Sequence, residues 1–74
     1  MKITVKLFAT FREGRFSVEV REYPEGTRIA DILKELQIPE EQIGMIMVNA
    51  RHAEPDQELR EGDSLAIFPL VGGG

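Results

Sequence analysis

Apolar and polar residues alternate from the first position onward. In Lys2-Ile3-Thr4-Val5-Lys6-Leu7-Phe8 the apolar residues Ile3, Val5 and Leu7 share one parity, the period expected of a half-buried strand. Alternation returns at residues 16 to 20 through Phe16, Val18 and Val20, and the intervening Arg12-Glu13-Gly14-Arg15 predicts the turn of a hairpin. The period then lengthens. Ile29, Ile32, Leu33 and Leu36 recur at i, i+3, i+4 and i+7, one apolar stripe along a helix, with Thr27 placed to cap its start and Pro39 disfavouring helix at Ile38. A third strand is expected over 45 to 50 with Ile46 and Val48 inward. A fourth is expected over 64 to 69 with Leu65 and Ile67 inward, entered through the turn Glu61-Gly62-Asp63. The order strand, strand, helix, strand, strand implies an α+β domain in which one helix packs on one side of a sheet.

If Ile3, Val5, Leu7, Ile46, Val48, Leu65 and Ile67 face the helix, strand parity turns Phe8, Met47, Ala66 and Phe68 to the opposite face, and Leu70 continues that parity. A sheet covered by one helix leaves that face open. Phe8, Met47, Phe68 and Leu70 are therefore the candidate partner-binding residues, the competing reading being packing at the sheet edge or against the domain's own loops.

Composition narrows the function classes. Seventy-four residues hold one small core and leave no room for an enclosed catalytic pocket. With 42% hydrophobic and 30% charged residues the chain has the composition of a folded globular domain. A formal net charge of −4 argues against nucleic acid, whose phosphates need a basic stripe. Glu54, Asp56, Glu58, Glu61 and Asp63 concentrate the acids, either steering the domain toward a basic protein or forming a solvated loop. The absence of cysteine excludes disulfides, thiolate metal sites and a thiol nucleophile. His52 has no second His or Cys with which to share a metal and reads as an exposed loop residue; Arg12 and Arg15 flank a turn and carry no assigned role. The strand pattern starts directly after Met1, so neither a signal segment nor a membrane span is expected, and a cytoplasmic location is.

The chemistry is sought at the C-terminus. An apolar strand runs through Phe68-Pro69-Leu70-Val71 straight into Gly72-Gly73-Gly74, dividing the chain into an expected globular part, 1–71, and an expected flexible glycine tail, 72–74. Residues without a Cβ make a tail thin enough for a narrow channel in another protein. Its terminal carboxylate at Gly74 becomes an electrophile once adenylated by ATP. A sulfur donor can then displace the adenylate and leave a thiocarboxylate, a carrier form that needs no catalytic side chain in this chain.

These residues give the sequence a resemblance to the β-grasp, ubiquitin-like sulfur carriers, namely the small subunit of molybdopterin synthase and the thiamine-pathway carrier. Molybdopterin-synthase small subunits characteristically end in Phe-x-Pro-Pro-Val-x-Gly-Gly or a close variant. This chain ends Phe68-Pro69-Leu70-Val71-Gly72-Gly73-Gly74, with Leu70 where the second proline would stand. Leu7-Phe8-Ala9 and Phe11-Arg12-Glu13 are similar to the opening of the same subfamily. The resemblance implies a β-grasp fold with a four- or five-stranded mixed sheet and a non-catalytic sulfur carrier loaded at Gly74. It also implies partners: an adenylating enzyme of the ubiquitin-activating type that uses ATP and magnesium, a persulfide donor, and either a molybdopterin synthase large subunit or a thiazole synthase. No bound cofactor, metal, nucleic acid or membrane is expected. A covalent protein modifier with the same adenylation step, and a non-covalent binding module with an inert tail, are the readings from other classes.

Overall fold

The computed structural model describes residues 1–70, and the expected tail, Gly72, Gly73 and Gly74, lies outside the described residues together with Val71. Five strands and one α-helix follow one another as β1 (Lys2–Leu7), β2 (Val18–Glu22), α1 (Ile29–Glu35), β3 (Ile43–Val48), β4 (Arg51–His52) and β5 (Ser64–Pro69). Short 3₁₀ turns at Ala9–Arg12 and Glu40–Gln42 precede β2 and β3. The sheet order is β2-β1-β5-β3-β4, with β1 and β5 parallel in the centre and the other neighbours antiparallel.

Alternation on the central strands builds the core. Ile3, Val5, Leu65 and Ile67 have no exposed surface and Leu7 has 2%; the register sets Val5 beside Leu65 and Leu7 beside Ile67, so one face of the sheet is a continuous apolar layer. Ile29, Ile32 and Leu33 of α1 close over it, and Ile46 and Val48 extend it. Phe11, Ala53 and Leu59 also belong to this core; none lies in an alternating run.

The ends of α1 are set differently from the expectation. Thr27 does not cap the helix: its hydroxyl donates to the Pro24 carbonyl at 2.7 Å, and Arg28 is the cap residue, its N–H donating to the Asp31 carboxylate at 2.8 Å. An acid in the first turn satisfies a free amide and favours the positive end of the helix dipole. At the other end Gln37 adopts φ +58, the Ile38 N–H reaches the Leu33 carbonyl at 2.9 Å and the Gln37 N–H reaches Lys34 at 3.1 Å, a Schellman stop that acts before Pro39 is met. Arg15 completes it. Its guanidinium donates to the carbonyls of Leu36 (3.0 Å), Phe11 (3.2 Å) and Gln37 (3.3 Å), tying the 3₁₀ segment to the helix C-terminus, where a cation is electrostatically favoured.

Two strand expectations are corrected. β2 spans Val18–Glu22, without Phe16, and the hairpin is longer than a turn at 12–15 because the 3₁₀ segment buries Phe11 first. Val18 and Val20 pair with Lys6 and Thr4 on the outer face and are 59% and 61% exposed. The inner face of this edge strand is instead covered by an amphipathic cluster. Tyr23 packs against the core and its hydroxyl donates to Glu35 at 2.6 Å, while Arg21 pairs with Glu19 at 2.7 Å and Glu35 at 3.4 Å and lies over the Phe16 ring. Burial of its ring, followed by that hydrogen bond, pushes the Tyr23 hydroxyl up to about 12. The expected strand over 45–50 ends at Val48 because Asn49 (φ +52) and Ala50 (φ +67) form a tight left-handed turn into β4, so His52 lies in a short edge strand.

Candidate functional site: the base of the C-terminal tail and the open sheet face

β5 delivers the chain to its terminal segment. Its last residue, Pro69, pairs with Ile43 of β3, and immediately beyond it the Leu70 N–H donates to the Gln42 carbonyl at 2.9 Å. Just after the Ile43–Pro69 pair β3 shifts register, Met45 facing Phe68 with Gly44 in the bulge. Pro69 has no N–H to give to a ladder, so the bond from Leu70 is what fastens the strand end. The base of the tail is thus a fixed feature.

The open face surrounds that base. Register places Val18, Lys6, Ala66, Met47 and His52 in one row across all five strands, since each is paired with the next. Beside it, Met45 pairs with Phe68, and the Phe68 ring stacks on Phe8 with centroids 4.2 Å apart and planes 13° from parallel. Phe8, Met47 and Phe68 are half-buried, and Leu70 is 58% exposed at the strand exit. The structure therefore groups Phe8 with Phe68 directly, sets Met47 one row away and places Leu70 at the rim. Met45, 40% exposed, and the two valines of β2 enlarge the patch. Sequence pattern does not single these three out, since Met45 opens the expected third strand and the two valines belong to a strand expected over 16 to 20 that the structure places at Val18–Glu22. The patch is apolar, exposed and beside the end of β5.

The rest of the surface offers less. An open groove of about 590 Å³ beside β4 is lined by Asn49, Arg51, His52, Glu58, Arg60 and Asp63 among others. Its walls are braced from within, Asn49 donating to Asp63 at 2.8 Å and accepting from the Ser64 N–H at 2.9 Å. Among the described residues no group of three or more His, Asp or Glu could hold a metal ion, and no helix is long and apolar enough to cross a membrane.

A mixed five-stranded sheet with two parallel central strands, one helix across one face and the chain end leaving a central strand is the ubiquitin-like β-grasp architecture. Solved structures agree with this. The chain is 32% identical to a Pyrococcus furiosus protein assigned as molybdopterin converting factor, subunit 1, covering 93% of this chain and 97% of that one with a TM-score of 0.75. It is 21% identical to small archaeal modifier protein 1 of Haloferax volcanii (92% and 95% covered, TM-score 0.73). It is 20% identical to a chain from the complex of subunits 1 and 2 of the molybdopterin-converting factor of Helicobacter pylori (100% of both covered, TM-score 0.67). The last two likenesses are of fold. No curated protein sequence gives a significant match. The family model of the ThiS family matches residues 5–74, and the chain belongs to that family.

Proposed function

We propose that this chain is a sulfur carrier that is itself non-catalytic and that works through the carboxylate of Gly74. The observation that supports this most is the ThiS family match, which runs through Gly74 and so includes the glycines that follow the clamped end of β5. In the proposed cycle an adenylating enzyme of the ubiquitin-activating type binds the open face through Phe8, Met47, Phe68 and Leu70. A carboxylate oxygen of Gly74 attacks the α-phosphorus of magnesium-bound ATP and pyrophosphate leaves. The terminal sulfur of a donor persulfide then attacks the acyl carbon and AMP leaves; a thiol attacks the donor's sulfur in the resulting acyl disulfide, releasing the thiocarboxylate and leaving donor and thiol joined as a disulfide. ATP and magnesium belong to the partner. The setting is cytoplasmic.

The recipient is proposed to be a molybdopterin synthase large subunit, a reading supported by the likeness at 32% identity to the Pyrococcus furiosus protein. A thiazole synthase is the alternative recipient, supported by the family to which the chain belongs. The fold likeness to a small archaeal modifier protein favours a second reading, in which the activated Gly74 forms an amide with a lysine of another protein. One experiment separates them. Incubation with purified activating enzyme, ATP, magnesium and a persulfide donor should exchange one oxygen for sulfur in the intact mass, and the loaded chain should then lose that sulfur to one of the two synthases. Higher-mass conjugates carrying Gly74 on lysine, with no sulfur uptake, would replace the carrier reading with the modifier reading.

A further inference from the structure

Gly44 lies in the bulge of β3, and its φ is not among the positive values at Gly14, Gly26 and Gly62, so backbone conformation does not demand glycine there. Space does. A Cβ on residue 44 would stand 2.7 Å from the Pro69 carbonyl oxygen and 3.1 Å from both the Pro69 carbonyl carbon and the Leu70 Cα. All three are backbone atoms, so no rotamer change can make room and the strand end itself would have to move. The same two residues are fastened from the adjoining side by the Ile43–Pro69 pairing and the 2.9 Å bond from the Leu70 N–H to Gln42. Residues 42 to 44 form a seat, and what they seat is the last stretch of chain before the tail.

We infer that Gly44 is a positioning residue for the tail: by letting Pro69 and Leu70 lie flush on the bulge, it sets the point and direction from which the terminal segment leaves the sheet. With the sulfur-carrier reading, on which this inference rests for its consequence, Gly44 thereby sets the register of the Gly74 carboxylate in the activating enzyme. Four residues after Leu70 span at most about 14 Å, so a displaced exit is not recovered by slack once the open face is docked and the tail drawn out. Moving the Pro69 oxygen from 2.7 Å to an ordinary contact with an alanine Cβ takes a shift of more than about half an ångström. A misplacement of 1 Å at reacting atoms costs on the order of 10²-fold in rate, so a loss of about tenfold is the expected scale.

The test compares the native chain with Gly44→Ala in ATP–pyrophosphate exchange and sulfur loading by a purified activating enzyme, reading kcat and KM separately. Phe8, Met47 and Phe68 of the docking face are untouched and only Leu70 at its rim shifts, so KM should rise by no more than about threefold while kcat falls about tenfold. A merely destabilised chain would do the reverse, because a smaller folded fraction raises the apparent KM and leaves kcat unchanged. Hydrogen exchange of the native chain gives a readout that needs no variant: the Leu70 amide should be protected to the same degree as amides inside β5. Native kcat in Gly44→Ala, or a Leu70 amide exchanging at the rate of an open peptide, overturns the inference while the carrier reading stands. A native chain that exchanges no pyrophosphate and takes up no sulfur overturns the carrier reading, and the positioning role of Gly44 falls with it.

Discussion

Tyr23 is the sole tyrosine of the chain, and its phenolate absorbance therefore reports one site. The phenol belongs to the cluster that replaces an apolar inner face on β2, its hydroxyl donating to Glu35 at 2.6 Å while the ring packs on the core. Desolvation and that bond both favour the protonated form and push its pKa up to about 12 from the ordinary value of 10.0. At equal pH below this range the phenol of the folded protein is then about a hundredfold less ionised than that of the unfolded one. The sign follows from proton counting. Between pH 10 and 12 the unfolded chain has released the Tyr23 proton and the folded chain still holds it, so stability contributed by this group is complete below pH 10 and is lost as pH rises toward 12. A shift of two units is worth roughly 2.7 kcal/mol for a group shielded from water. Tyr23 is only half-buried, and screening leaves about 1 kcal/mol. Spectrophotometric titration of the folded chain should give a midpoint near 12, returning to 10 in denaturant, and urea unfolding should show a loss across pH 10 to 12 that Tyr23→Phe removes. A folded-state midpoint at 10, or an identical alkaline loss in Tyr23→Phe, would refute the coupling between β2 and α1.

The remaining expectations concern the core, a strained turn and the open face. Ile67→Ala empties a site with no exposed surface between β1 and β3 and should cost about 2 to 5 kcal/mol in chemical denaturation; an effect of a few tenths would mean that the face assignment of β5 is wrong. Ala50 holds φ +67 with a Cβ, a conformation that costs roughly 1 to 2 kcal/mol, so Ala50→Gly should raise stability by up to about 1 kcal/mol after the entropy of a freer unfolded chain; unchanged or lower stability would contradict the turn geometry. Met47→Asp places a charge on the outer row between Ala66 and His52 and should weaken binding to the activating enzyme at least about tenfold with the melting midpoint nearly unchanged, as measured by calorimetry. Binding at native strength would remove this row from the docking surface.

The elements that were legible beforehand are those in which one physical requirement acts alone. β1, β3 and β5 bury every second residue, and α1 buries every third or fourth, so period alone identified Ile3, Val5, Leu7, Ile29, Ile32, Leu33, Ile46, Val48, Leu65 and Ile67 as interior. β2 misled because an edge strand beside an open face can expose its valines, while Arg21 and Tyr23 cover the core with aliphatic and aromatic stems and keep their polar ends paired. The β3–β4 turn escaped because it uses Asn-Ala where Asn-Gly is the usual signal. Phe11 escaped because a 3₁₀ turn has no period long enough to detect. At the site, parity put Phe8, Met47 and Phe68 on one face, and the stacked rings show how close two of them come. The seat under Leu70 was not legible, since which residue a lone glycine approaches depends on a pairing 25 positions away in sequence, between Gly44 and Pro69. Glycine within an otherwise apolar strand run was the available signal.

Everything proposed for the tail turns on the carboxylate of Gly74. Deleting Gly74 leaves Gly72-Gly73 with a free carboxylate and the described fold intact, but withdraws the reacting group by about 3.5 Å; one residue added after Gly74 turns the original carboxylate into an amide. The decisive measurement is the intact mass of the native, shortened and extended chains after incubation with activating enzyme, ATP, magnesium and a persulfide donor. Sulfur should enter the native chain, while the other two should load at least about a hundredfold more slowly. Equal rates of sulfur uptake in all three would show that the Gly74 carboxylate is not the carrier site.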